Sequence, residues 1–448
     1  KSMARRSSSE DLSKPRSRQD GRVFRVVSEP VHEQSQDTQA PASSDSGERP
    51  EHHVKTLTGR QFTNPWPTWE GFGLKKSMAF LLNRNHPPIP REDEFDRYFP
   101  VLAVEPGTLT DAPLDDIQTV WIGHATFLIQ MNGCNILTDP VWSQRCSPVS
   151  FMGPKRIRKV PIEIARLPPI HLVAISHNHF DHLDMPTIEA LERFRPQYLV
   201  PLGLRETLPI SARPRTHEFD WWQSLSFLGT DCTLVPAQHW STRTGLADHN
   251  RSLWGGWVFS AQLAGGRQSV FFSGDTGYCP AFREIGDRLG PFDLAILPLG
   301  AYCPRDVMRQ QHCDPEESVK IHVELRSKLS IGMHWGTFVL SNEPVFDPPR
   351  RLKAALMEAD IDEEEFVVLR LGHVLQCRNH EHLWDHFSWA LAKDAAFEPK
   401  LFSLGGLLSL TPKSERAEAK RRGQSALHGA AGGSASSSPL PRPPASAR

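Results

Sequence analysis

His177, Asn178, His179, Phe180, Asp181 and His182 put four metal-ligand types inside six residues. They follow an apolar run, residues 171–176, whose pattern predicts a buried strand. Three imidazoles and a carboxylate would make a poor core, so the density of ligand types points to metal chemistry. His177 and His179 are two apart and share a side in an extended segment. Asp181 and His182 are adjacent and diverge unless the chain turns. One cluster can therefore serve two neighbouring metal positions. A catalytic zinc takes three protein ligands and keeps one position open for water. Two such ions need more ligands than this cluster supplies.

The elements that would complete the set lie downstream. His239 follows a short apolar strand in Val235-Pro236-Ala237-Gln238-His239-Trp240. Asp275 ends the run Val270-Phe271-Phe272-Ser273-Gly274-Asp275. His334 follows Ile331-Gly332-Met333. Each is a polar residue at the end of an apolar strand, where α/β folds place functional groups. A lone histidine there is more often a hydrogen-bonded core or surface residue. Together with the first cluster, these positions complete one order: His-x-His-x-Asp-His, then His, then Gly-Asp, then His.

That order resembles the metallo-β-lactamase superfamily. Further segments narrow the resemblance: Gly123-His124-Ala125, Leu137-Thr138-Asp139-Pro140, Met152-Gly153-Pro154-Lys155-Arg156, Asp220-Trp221-Trp222, Gly274 to Phe282, and His334 to Phe338. From about Phe62 to about Val374 they resemble the N-acylphosphatidylethanolamine-hydrolysing phospholipase D family. The fold implied is α/β, an αββα sandwich of two mixed sheets with metals at one edge. The site implied has one zinc on His177, His179 and His239, a second on Asp181, His182 and His334, and Asp275 bridging them. Asp139 would orient a ligand histidine from behind; the competing reading is a turn-forming Asp before Pro. The reaction implied is attack of a zinc-bridging hydroxide on phosphorus, giving phosphatidic acid and an N-acylethanolamine. Asp181, Asp275 and His312 are then the expected catalytic set. No His-x-Lys-x-x-x-x-Asp motif, the mark of phospholipases D with a histidine nucleophile, occurs in the chain.

His312 matches a substrate-contacting histidine of the family. It also flanks a helix expected to open at Asp314-Pro315, an N-cap followed by proline at the first position. Phe180 stands where the family is expected to carry Tyr, so an aromatic face is kept and a hydroxyl is lost from the substrate-binding surface. Two other functional classes remain open on sequence alone. One is a superfamily hydrolase of lactones, thioesters or other phosphodiesters. The other is a non-catalytic scaffold, against which the full ligand set argues.

The 448 residues are 39% hydrophobic, enough for one large domain with flanks. A net charge of −1 gives no basis for nucleic-acid binding. The 7 cysteines form no pattern, so free thiols in a reducing compartment are expected. No apolar run approaches the ~20 residues that span a bilayer, and no signal peptide is apparent. The chain opens on Lys1, not Met, so an upstream piece is expected. Residues 1–55 are polar and expected to be a disordered arm. Its first 25 residues hold eight Lys/Arg against three acids, a charge excess that suits anionic lipid or simply solvation. Residues 56–395 form the catalytic domain. Residues 396–448 are an Ala/Ser/Pro/Gly-rich tail that cannot build a core.

Substrate access needs a membrane-facing surface. Trp66, Trp69, Phe72, Leu74, Met78, Phe80, Leu81 and Leu82, beside Lys75 and Lys76, suit an interfacial segment, or alternatively ordinary core. Met152, Lys155 and Arg156 are expected at the mouth of the site. The resemblance implies a peripheral membrane homodimer acting on a phospholipid, with a groove that also accepts amphiphiles such as bile acids. It places the protein inside the cell on cytosolic faces of Golgi and early-endosome membranes, with the nuclear envelope as a further location.

Overall fold

The computed structural model describes residues 25–27, 51–56, 59–71, 86–110 and 113–378. In chain order the strands are β1 (Arg25–Val27), β2 (His53–Thr56), β3 (Gly59–Phe62), β4 (Gln118–Gly123), β5 (Thr126–Met131), β6 (Cys134–Thr138), β7 (Leu172–Ala174), β8 (Gln197–Pro201), β9 (Thr216–Phe219), β10 (Ser224–Phe227), β11 (Thr230–Val235), β12 (Gly256–Leu263), β13 (Gly266–Phe272), β14 (Leu294–Pro298), β15 (Ser330–Met333), β16 (Phe366–Val368) and β17 (Val374–Gln376). The first sheet runs β17-β4-β5-β6-β7-β8-β9. The second runs β1-β10-β11-β12-β13-β14-β15-β16. β2 and β3 form a separate hairpin.

Alternation along the strands stacks these layers. Trp121, Phe127, Ile129, Ile136, Leu172 and Leu199 of the first sheet share a core with Leu234, Trp257, Phe259 and Phe271 of the second. Their neighbours Val120, Ile122, Leu128, Leu137, Val173 and Val200 point the other way. There they pack with Ile188 and Leu191 of helix α2 (Met185–Leu191), which follows α1 (Glu92–Tyr98). Against the second sheet pack α3 (Ala281–Leu289), α5 (Pro315–Leu325) and α6 (Asp347–Ala359), with a short α4 (Arg305–Met308) preceding α5 in the chain. The result is the αββα sandwich expected from the sequence. With both faces covered, β4, β5, β6 and β14 are buried throughout. Their sequences accordingly lack polar alternation.

β6 to β9 pair in parallel, as do β13 to β16. Their carboxyl ends therefore share one edge within each sheet. α5 starts as its sequence requires: the Asp314 carboxylate accepts the Glu317 N–H at 3.0 Å and Pro315 takes the first position.

Two boundaries differ from expectation. Arg25–Val27, inside the arm expected to be disordered, is an edge strand paired with β10. β2 straddles the expected start of the domain at residue 56. Both join through backbone hydrogen bonds, which composition does not reveal. The rest of residues 1–50 and the whole tail 396–448 lie outside the described residues, as do Phe72 to Leu82 of the expected interfacial segment. Trp66 of that segment is half-buried: it packs against the main cluster and stacks on Trp221 with ring centroids 5.5 Å apart. All seven cysteines are free. No helix among the described residues is long and apolar enough to cross a membrane.

His322 on α5 makes the fold sensitive to acid. Its ring is buried, Nδ1 lies 2.8 Å from Ser330 Oγ, and burial lowers its pKa from 6.5 to about 4. The unfolded chain takes up this proton first, so the stabilisation is complete above pH 6.5 and is lost as pH falls towards 4. About 3 kcal/mol is at stake. His322→Gln should flatten urea-derived stability across that window; an unchanged slope would contradict this assignment.

Candidate metal centre

Six strands deliver a ligand type within one to four residues of their carboxyl ends. His124 follows β4, Asp139 follows β6, His177 follows β7, His239 follows β11, Asp275 follows β13 and His334 follows β15. His124, Asp139 and His334 follow directly and sit in left-handed backbone, with φ of 56°, 34° and 64°. That conformation turns the chain sharply out of the strand, and non-glycine residues adopt it at a cost. Between β7 and α2 the chain makes one helical turn: the His182 and Leu183 N–H groups donate to the His179 carbonyl at 3.1 and 2.9 Å. This turn brings Asp181 and His182, adjacent in sequence, onto a common centre with His177 and His179. A close approach fixes one more element: a Cβ on Gly300 would lie 2.1 Å from the His334 carbonyl oxygen.

The seven expected ligands converge. His177 Nε2 lies 2.8 Å from His179 Nδ1, which lies 3.2 Å from His239 Nε2. Beside this trio, Asp181 Oδ2 lies 3.5 Å from His182 Nε2 and 3.6 Å from His334 Nε2. Asp275 stands between the two groups. Its Oδ2 is 3.1 Å from His182 Nε2, 3.9 Å from His239 Nε2 and 4.0 Å from His177 Nε2, and its Oδ1 is 3.0 Å from His334 Nε2. The inner face is set from behind. Asp139 Oδ2 accepts from His182 Nδ1 at 2.7 Å, the Gln311 carbonyl accepts from His239 Nδ1 at 3.0 Å, and Ser176 Oγ lies 2.9 Å from His177 Nδ1. These contacts leave the Nε2 atoms of all three rings facing inward. Asp139 thus acts from behind His182 as well as turning the chain.

The residues present fit cations. His182 Nε2, His334 Nε2 and Asp275 Oδ1 are buried and make no hydrogen bond, although they crowd one another. Burial holds His177 and His239 well below 6.5 and His179 at about 4, so these three are neutral donors. Burial opposes the charge on Asp181 and Asp275 too, yet His182 and its neighbours hold both carboxyls well below the usual range. Burial likewise opposes protonation of His182 and His334; Asp275 foremost overcomes it and raises both, His334 to about 9. Two buried anions demand positive charge. In the bare chain the raised pKa values of His182 and His334 answer that demand at the centre, with Arg243 acting on Asp181 from outside, and cations would take the place of the protons.

One member went unassigned in the sequence. His124 Nε2 lies 2.9 Å from Asp181 Oδ2, its ring centroid is 4.0 Å from that of His334, and it groups with Asp181, His182 and His334 as a possible ligand. Its signal was the same as for His334: a histidine at the end of an apolar strand, after Gly123. His312 is also brought in, with Nδ1 buried, lacking a hydrogen bond and 3.8 Å from Asp275 Oδ2. Burial lowers its pKa to about 3.

Phe180 packs with Val141, Cys146 and Phe338 and carries the Arg243 guanidinium 4.1 Å over its ring. An aromatic face without a hydroxyl satisfies both contacts. Of the residues expected at the mouth of the site, Met152 is 63% exposed, as is its neighbour Phe151 at 78%, and Lys155 is exposed. Arg156, expected beside them, is instead buried: Nη2 donates to the Val141 carbonyl at 2.7 Å and the guanidinium lies 5.0 Å from the Phe338 ring centroid. A buried carbonyl and an aromatic face draw it inward.

Three comparisons with known proteins find relatives. The β-lactamase superfamily domain matches residues 134–335. The chain is 35% identical over 336 residues to N-acyl-phosphatidylethanolamine-hydrolyzing phospholipase D 1 of Caenorhabditis elegans, covering 70% of this chain and 92% of that one. It is 31% identical over 338 residues to the mitochondrial N-acyl-phosphatidylethanolamine-hydrolyzing phospholipase D of Saccharomyces cerevisiae, covering 65% and 70%. Among solved structures, a metallo hydrolase from Ignicoccus hospitalis aligns with a TM-score of 0.42 at 18% identity, over 58% of this chain and 97% of that one.

Proposed function

We propose, for a chain that belongs to the N-acyl-phosphatidylethanolamine-hydrolysing phospholipase D family and is a metal-dependent hydrolase, that it uses two zinc ions to hydrolyse N-acylphosphatidylethanolamines to phosphatidic acid and N-acylethanolamines. The observation that carries this reading is Asp275, whose two oxygens reach both groups of imidazoles at 3.0 to 4.0 Å. His177, His179 and His239 would hold one ion, and Asp181, His182 and His334 the other. Bound zinc would supply Lewis acidity, lowering the pKa of a water to about 7 and offsetting charge on phosphoryl oxygens.

The chain's own groups do the rest. Asp139, Gln311 and Ser176 fix which imidazole nitrogen of His182, His239 and His177 faces the metal positions. His124 holds the Asp181 carboxylate. Water oxygen bonds to phosphorus as the bond from phosphorus to the ethanolamine oxygen breaks, and the leaving alkoxide takes a proton. His312 would hydrogen-bond a phosphoryl or leaving oxygen, a role supported by its buried Nδ1, which makes no hydrogen bond and lies 3.8 Å from Asp275 Oδ2. Substrate would arrive from a bilayer, and exposed Phe151 and Met152 beside Lys155 suit contact with its surface.

His179→Ala should lose all measurable hydrolysis. His312→Ala should keep its metals and lose about 10²-fold in kcat, as expected for one lost transition-state hydrogen bond. Equal losses in the two variants would contradict these roles. The direct experiment is hydrolysis of an N-acylphosphatidylethanolamine in detergent micelles, with zinc counted on the same sample. Phosphatidic acid, N-acylethanolamine and about two zincs per chain are expected. Two zincs without product would turn the search to lactones, thioesters or other phosphodiesters.

A further inference from the structure

A second group of ligand types lies outside this centre and shares no residue with it. His52 and His53 stand at the start of β2, and Asp220 follows β9. His52 Nε2 is 2.7 Å from Asp220 Oδ1, and His53 Nε2 is 2.7 Å from Oδ2. The donor atoms all lie within 4.8 Å of one another. His52 is 7% exposed.

The His53 contact is not a hydrogen bond. Its Nε2 is buried and makes none, despite the short distance. His334 Nε2 does the same against Asp275. A nitrogen pressed on a carboxylate oxygen without an aligned N–H is relieved by a cation between their lone pairs. Burial holds His53 below 6.5. Burial opposes ionisation of Asp220 as well, but His52 and His53 hold its carboxyl below the usual range. A neutral imidazole and an ionised carboxylate are the forms that bind metal.

The donors are also held from behind. The Trp221 N–H donates to Asp220 Oδ1 at 2.9 Å, and the Asp220 N–H donates to Gln223 Oε1 at 2.8 Å. The His52 ring stacks on Trp221 with centroids 4.0 Å apart. Such outer contacts fix ligand orientation before a metal arrives.

We propose that His52, His53 and Asp220 bind one divalent cation of the zinc type, a structural metal that clasps the hairpin segment 51–64 onto the catalytic domain. Two imidazoles and a carboxylate are a zinc donor set, with a fourth position left to water. The clasp bears on the catalytic centre through the backbone. The Thr63 N–H donates to the His52 carbonyl at 3.0 Å. Next to it, Asn64 holds His239 by two hydrogen bonds, Nδ2 to the His239 carbonyl at 2.8 Å and the His239 N–H to Oδ1 at 3.2 Å.

Zinc content decides the matter. The full-length chain is stripped with chelator, dialysed against zinc and measured by mass spectrometry, as wild type and as His53→Gln. A loss of one zinc per chain in the variant is expected, however many the catalytic centre holds. Equal contents would overturn the proposal and leave Asp220 as a metal-free partner of the two imidazoles. If His53→Gln fails to fold, the wild type still answers. Zinc should protect His53 from diethyl pyrocarbonate relative to the stripped protein, and unchanged reactivity would overturn the clasp.

Discussion

Asp275→Asn is expected to fold and to hydrolyse nothing measurable, a loss of at least about 10³-fold, or ~4 kcal/mol of transition-state stabilisation. The substitution keeps the shape of a buried side chain, so packing around β13 should survive. What it removes is the anion between the two imidazole groups. The new amide also turns an N–H donor or a weaker carbonyl toward His182 and His334, which lie 3.1 and 3.0 Å away. Zinc content should fall with activity, while the far-ultraviolet circular dichroism of the metal-free protein matches wild type. Full zinc occupancy with more than a tenth of wild-type activity would remove Asp275 from its bridging role.

Asp139→Ala should be the most destabilising of the substitutions considered, by about 3–5 kcal/mol. The carboxylate is fully buried and accepts from the Ser176 N–H at 2.7 Å, Ser176 Oγ at 2.6 Å and His182 Nδ1 at 2.7 Å. Removing it leaves the Ser176 N–H and His182 Nδ1 buried without partners, at ~1–3 kcal/mol each and not fully additive, and leaves Ser176 Oγ with only its contact to His177 Nδ1. Alanine in left-handed backbone costs about 1 kcal/mol more. Zinc affinity should also fall about 10- to 100-fold, since His182 loses its orientation. Asp139→Asn tolerates the backbone and keeps one acceptor, so it should recover part of the stability. Urea unfolding and zinc competition measure both effects. An alanine variant within 1 kcal/mol of wild type would mean that the carboxylate does not anchor this turn.

Much of the centre was legible because it is dense in sequence. His177, His179, Asp181 and His182 betray themselves by proximity, and a single helical turn is enough to gather them. His239, Asp275 and His334 each look like a lone polar residue after a strand. Only their order relative to the cluster, and its resemblance to a known family, singled them out. His124 carries the same local signal, but nothing in the chain tells which strand-terminal histidine turns inward; that depends on a left-handed residue whose conformation sequence does not specify. Arg156 misled for the opposite reason. It sits among exposed neighbours, Met152 and Lys155, and turns inward to a carbonyl and a ring contributed by distant residues. The pairing of Arg25–Val27 with Ser224–Phe227 spans about two hundred residues. No local pattern encodes such a partner. The sandwich itself was not read from alternation, because strands covered on both faces show little of it; the family resemblance supplied the fold.

The ligand types come from the ends of strands in both sheets: His124, Asp139 and the 177–182 turn from the first, His239, Asp275 and His334 from the second. A cation shared among them would rivet the two halves of the sandwich together. Loss of that cation would then loosen the halves at their edge. Metal removal should accordingly lower the stability of both sheets at once, not only the order of the turn that carries most of the imidazoles.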